Sequence, residues 1–153
     1  MNFDIHKTIQ YWLEGAAYDL ETGRTLLESK RYPYALFFAH LALEKVLKGI
    51  VVKSTKEHAP FSHSLILLAS KAQIEIPESI LDQFAEYTEF HLESRYPDEK
   101  RDFYQQCTEE CTRSKFDGFV KSRKPAFSVI PAKAGIQIFQ VVLDPGFRRG
   151  DDP

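Results

Sequence analysis

The stretch ALFFAHLALEKVLKG, Ala35 to Gly49, is apolar except where His40, Glu44 and Lys48 interrupt it, with Lys45 alongside. Steps of four residues advance an α-helix by about 400°, so these three side chains form one slowly drifting stripe. An imidazole, a carboxylate and an ammonium in line admit two chemistries. Glu44 N-terminal to Lys48 at i, i+4 is the favoured order for an intrahelical ion pair, worth roughly 0.2–0.5 kcal/mol on an exposed face. Flanks this apolar instead predict that the stripe is buried at a seam between subunits. There an unpaired charge is very costly, so the groups must pair with one another or share an anionic ligand.

Three further residues join them as candidates for ligand binding. His63, after APFS, either caps a helix start or faces an anion together with Lys48 or Arg95. Arg95 and Tyr96, in SRYPD, sit at a corner fixed by Pro97. Arg95 either pairs with Asp98 or Glu93, or offers its planar fork to a phosphate while Tyr96 offers a face to a base. Arg31-Tyr32-Pro33 repeats that triplet and is most economically a turn. Cys107 and Cys111, four apart on one predicted helical face, read as small buried hydrophobes. Their spacing suits no disulfide, and with His58 and His63 it matches no zinc pattern, so no metal site, cofactor or catalytic residue is assigned.

Helices must position these groups. Ile5, Ile9, Trp12, Ala16, Leu20 and Leu27 recur at helical intervals and predict a first helix over 4–30. Pro33 opens a second over 33–53, apolar nearly all round, hence the most buried element and open to contact with a second copy of itself. After the polar loop STKEHAPFSH, Ser62 or His63 starts a short third helix through SLILLASKAQ. Pro77 introduces a fourth over ESILDQFAEYTEFHL, with Ile80, Leu81, Phe84, Tyr87 and His91 roughly in line. A fifth follows in RDFYQQCTEECTRSKFDGFVKSR and stops before Pro125. Trp12 and the phenylalanines are assigned to the core by default. No alternating β pattern precedes residue 125, so residues 1–124 are expected to form an all-α, up-and-down bundle of about five helices.

The totals agree with one domain: 153 residues, 43% hydrophobic and 27% charged, leave no room for a second full core. A formal net charge of -2 excludes a protein that coats nucleic acid non-specifically. The longest nearly apolar run, Tyr34 to Leu43, falls far short of the roughly 20 residues that span a bilayer. MNFDIHKTIQYW has neither a basic nor an apolar leader region, so no membrane association and a cytoplasmic location are expected.

Residues 125–153 have a different texture, with three of the seven glycines and no Glu. Reading Leu143 to Asp151 on the opposite DNA strand returns the residues from Gln137 back to Val129 at eight of nine positions, Gly150 against Ile130 being the exception. The tail therefore reads as a translated inverted repeat, and its VIPAKAGIQ and LDPGFRRGDD segments resemble dispersed genomic repeats. Such residues were shaped as DNA, and little structure of their own is expected.

FFAHLALEKVLKGIVV, then HSL, then ESRYPDE before a last helix, together resemble the HEPN family, the higher eukaryotes and prokaryotes nucleotide-binding domains, over about residues 5 to 120. The resemblance implies a homodimer with helices of both subunits lining a cleft, and partnership with a minimal nucleotidyltransferase in a toxin–antitoxin-like arrangement. Other members are metal-independent ribonucleases carrying an Arg, a polar residue, a few more positions and then a His on the late helix. Here no His lies four to six residues past any Arg, and none follows His91. The expectation is a non-catalytic dimer binding a nucleotide-like anion, a partner nucleotidyltransferase, or both. A ribonuclease toxin with a dispersed site using His40 or His63, and a ligand-free helical interaction module, are the competing readings. Family members also continue the last helix with further apolar turns, which Pro125 replaces here.

Overall fold

Asp4 starts the first helix by accepting the backbone N–H of Lys7 at 3.0 Å, a cap worth about 1 kcal/mol, and α1 runs Ile5–Glu28. The structure is a computed structural model describing residues 2–73, 75–95, 105 and 107–127, which form five helices and no strand. The second helix, α2, spans Tyr32–Thr55 with Pro33 in its first turn, where a missing N–H interrupts no helical bond. It is the axis of the bundle. Ala35, Leu36, Ala39, Leu43, Val46, Leu47 and Ile50 to Val52 are all buried, and each of the other helices packs against it. At about 1.5–3 kcal/mol for each large apolar side chain, this helix dominates the core. No described helix is long and apolar enough to cross a membrane.

The third helix, α3, is Leu65–Ala72. It starts at Ser64, not at Ser62 or His63, because Ser64 Oγ accepts from Leu67 N–H at 3.2 Å while Ser62 Oγ accepts the N–H of Ser64 itself. Its buried Leu65, Leu68, Ala69 and Ala72 lie against α2, and Ser54 Oγ donates to Ala72 O at 2.8 Å. The fourth helix, α4, is Glu78–Arg95, with Phe84 and Tyr87 buried as the spacing predicts.

The last helix, α5, spans Glu109–Phe127, and the RDFYQQ segment from which the sequence starts it lies, apart from Gln105, outside the described residues. Thr108 sets the start: its hydroxyl accepts from Cys111 N–H at 3.3 Å and its carbonyl from Thr112 N–H at 2.9 Å. Glu109 and Glu110 then sit in the first turn, where the helix dipole favours acids. Cys107 therefore precedes the helix and is buried while Cys111 is exposed, so the two thiols share no face. The helix continues through Pro125, which falls in its last turn.

Gly23 lets α5 approach α1: a Cβ there would meet the Phe116 ring at 3.0 Å and the Ala35 carbonyl at 3.3 Å. Lys115 of α5 pairs with Glu86 of α4. Phe61 overturns its default assignment to the core; it stands wholly exposed in the loop ahead of α3. Tyr96 and residues 128–153, with both arms of the inverted repeat, lie outside the described residues. So do the side chains of His91 and Arg95, and with them any pairing of Arg95 to Asp98 or Glu93.

Candidate functional site

Glu44 sits mid-helix among buried aliphatic residues and is only 3% exposed. A carboxylate in such a place must be compensated. Lys48, one turn on, donates from Nζ to Glu44 Oε1 at 2.6 Å, the intrahelical pair read from the sequence. Oε2 lies 3.0 Å from Nδ1 of His63, which arrives from the loop ahead of α3. His40 Nδ1 is 3.8 Å from the same oxygen, close enough to feel its charge and too far for a hydrogen bond. Three other predicted residues, His40, Lys48 and His63, thus meet at the Glu44 carboxylate.

Lys48 has a second neighbour. Its ammonium stands 5.1 Å from the centroid of the Trp12 ring on α1, a cation–π arrangement that gains when water is excluded. Trp12 is half-buried, and its spacing in α1 signals a core residue without signalling this contact. His40, Glu44 and Lys48 are 0%, 3% and 8% exposed within a single chain, sheltered by this chain's own α1 and loop. His63 differs: its side chain is 57% exposed, so it forms the mouth through which the buried pair meets solvent.

Lys45 does not join the cluster. It turns towards α1, where its Nζ lies 2.6 Å from Oδ2 of the buried Asp19, and its methylenes lie over Gly15. Asp19 carries a signal in the sequence: it is an acid on the predicted apolar face, directly before Leu20. Arg95 ends α4, and its side chain, like the whole of Tyr96, lies outside the described residues. Among the described residues no group of His, Cys, Asp and Glu is arranged to hold a metal ion.

Chemically, the cluster is a compensated ion pair with an imidazole attached. With Nδ1–H donated to Glu44, the ring is oriented, and its other nitrogen lies on the far side from the carboxylate. An anion that approaches a protonated ring shares the imidazolium with Glu44. A hydroxyl that approaches a neutral ring meets an oriented base.

The HEPN domain profile matches residues 9–115 of this chain. The fold is similar to the crystal structure of TT1696 from Thermus thermophilus, at a TM-score of 0.68 and 21% identity, covering 80% of this chain and 98% of that one. It is also similar to ST0689, an archaeal HEPN homologue, at a TM-score of 0.63 and 23% identity, covering 78% of this chain and 95% of that one. At such identities the likeness speaks for the fold alone. No curated protein matches the chain.

Proposed function

The chain belongs to the HEPN family, and from that premise we propose that it is a non-catalytic, self-associating module that binds a nucleotide-like anion, a partner minimal nucleotidyltransferase, or both, as one half of a toxin–antitoxin-like pair. The observation that carries this reading is the link from half-exposed His63 to the buried Glu44–Lys48 pair. It sets an oriented imidazole edge beside solvent while pairing the charge below. The missing Arg-to-His spacing on the late helix argues in the same direction. Cleaving RNA without a metal needs a base for the 2′-hydroxyl proton and an acid for the leaving oxygen.

Isothermal calorimetry with ATP and with inorganic triphosphate tests the site. His63→Ala, with circular dichroism checking that it still folds, is expected to weaken binding about tenfold, the loss of one hydrogen-bonded contact. Affinity unchanged in His63→Ala and in Arg95→Ala defeats the assignment. Lys48 is a poor probe, because its removal strands the buried Glu44.

A second reading is favoured by one distance. Glu44 Oε2 to His63 Nδ1, at 3.0 Å, is the carboxylate–imidazole relation that orients a general base, which supports a ribonuclease with a rearranged site. Purified protein incubated with total RNA in a chelator decides: cleavage that disappears in His63→Ala favours the enzyme, and intact RNA removes it.

A further inference from the structure

The ion pair between Lys45 and Asp19 takes no part in the Glu44 cluster, yet it too has a charge facing an opening. Asp19 is buried, and Lys45 reaches it from α2 by crossing over Gly15 of α1, with Nζ 2.6 Å from Oδ2. An ammonium has three N–H donors, and a single carboxylate oxygen answers this one, so donors remain for a ligand. Gly15 keeps the way to them open. The point that a Cβ on Gly15 would occupy lies 3.3 Å from Nζ and 3.1 Å from the Lys45 stem, so any side chain there would fill the space in which a ligand atom meets the ammonium.

Positions i, i+3, i+4 and i+7 share one face of a helix, and on α1 they are Tyr11, Glu14, Gly15 and Tyr18. Together with Lys45 these residues line a cavity of about 260 Å³. The phenol rings of Tyr11 and Tyr18 are 68% and 74% exposed, one on each side of the bare glycine. Glu14 brings the second charge. Its Oε1 accepts from Gln10 Nε2 at 2.8 Å, which leaves its other oxygen to accept from a ligand.

Size and charge decide what fits. A cavity of ~150 Å³ already holds a benzene ring, and sites for drug-sized ligands run from roughly 300 to 1,000 Å³, so this one takes a ring with a short charged group and little more. A pure anion would gain Lys45 and be repelled by Glu14; a pure cation would meet the reverse. A zwitterion satisfies both. We propose that this cavity binds a free α-amino acid with an aromatic side chain, its carboxylate on Lys45 Nζ, its ammonium on Glu14 and its ring beside Tyr11 and Tyr18. The ligand carboxylate takes donors that Asp19 leaves, and Asp19 holds the lysine in place whether the cavity is filled or not. The tyrosine faces offer the offset or edge-on contacts that aromatic rings prefer. This ligand and this site are separate from the nucleotide-like anion and the His63 edge.

Titration of the full chain with phenylalanine, followed by nuclear magnetic resonance, tests the assignment against two analogues that each lack one charge, phenethylamine and hydrocinnamate. Phenylalanine is expected to saturate at millimolar concentration or below, and each analogue to bind about tenfold more weakly, the loss of one charge-assisted contact. Glu14→Gln, at an exposed position and checked by circular dichroism, is expected to weaken phenylalanine about tenfold while hydrocinnamate, which has no ammonium, binds no more weakly than to the wild type. Tyr18→Ala is expected to weaken all three ligands. Absence of saturation by phenylalanine overturns the proposal. Equal binding of the three ligands also overturns it, because the cavity would then recognise a ring alone. Displacement of phenylalanine by ATP overturns it as well, because both would then occupy the Glu44 cluster.

Discussion

Nδ1 of His63 stands 3.0 Å from Oε2 of Glu44, nineteen residues earlier in the chain. This contact explains how so apolar a helix carries a carboxylate at its centre. Lys48 alone would leave one oxygen of Glu44 without a donor in a dry setting, and the imidazole supplies it. The contact also makes the site depend on α3. The loop ends at Ser64, and α3 is locked to α2 through Leu65, Leu68 and the Ser54–Ala72 bond, so the anchored helix fixes where the His63 ring stands.

Removing one member of the buried pair should be far worse than removing both. Lys48→Met leaves Glu44 uncompensated and is expected to cost about 3–5 kcal/mol, read as a lower midpoint in urea. Adding Glu44→Leu is expected to restore most of that loss, because a buried ion pair replaced by apolar residues of similar size is often neutral. Stability recovered together with lost ligand binding identifies the pair as kept for function. A double variant as weak as the single would mean that the histidines hold this region, not charge compensation.

Gly23 gives a second test of packing. A methyl group there would improve helix propensity by up to about 1 kcal/mol. It would also press on the Phe116 ring at 3.0 Å and on a backbone carbonyl at 3.3 Å, and the carbonyl cannot rotate away. Overpacking of this kind costs typically about 1–3 kcal/mol, so Gly23→Ala is expected to be net destabilising by thermal melting. A higher melting temperature would show that α5 does not bear on α1 there.

Much of this is legible in the sequence because it is local. The α2 stripe follows from spacing in four residues, and the buried Phe84 and Tyr87 follow from helical periodicity. Two kinds of feature are not legible. The meeting of His63 with Glu44, of Lys45 with Asp19 and of Lys48 with Trp12 each joins separate elements, and no periodicity within one segment encodes a partner on another. Phe61 departs from the core because residue type sets only an average burial, and a ring at a Pro-Phe-Ser tip is the exception.

Tyr32 links α2 to the start of α5 and should report on it. Burial and then the Glu109 carboxylate, which also accepts its hydrogen bond, push its phenol above the ordinary value of 10.0, against a smaller opposing effect of Arg113. The folded state therefore holds this proton more tightly than the unfolded chain. Its contribution to stability is complete below pH 10.0 and is lost as pH climbs through the folded value. Glu109→Gln is expected to lower the tyrosinate titration midpoint assigned to Tyr32 by ultraviolet difference spectroscopy. A midpoint that does not move would separate α5 from Tyr32.

The last prediction concerns a backbone position that the sequence fills with an awkward residue. Lys56 ends α2 at φ 60°, ψ 20°, with its N–H returned to Val52 O at 3.0 Å, a left-handed cap usually given to glycine. For a residue with a Cβ that conformation costs roughly 1–2 kcal/mol, while glycine gives back about 0.4–1 kcal/mol through the greater freedom of the unfolded chain. Lys56→Gly is therefore expected to stabilise by roughly 0.5–1 kcal/mol, or about 2–4 °C per kcal/mol at this chain length. Lys71→Gly, in the last turn of α3, provides the opposite sign, since glycine holds the helical conformation less well than lysine. Because Lys56 also opens the loop that presents Phe61 and His63, a stabilised Lys56→Gly chain with unchanged self-association would show that the cap sets only the end of α2.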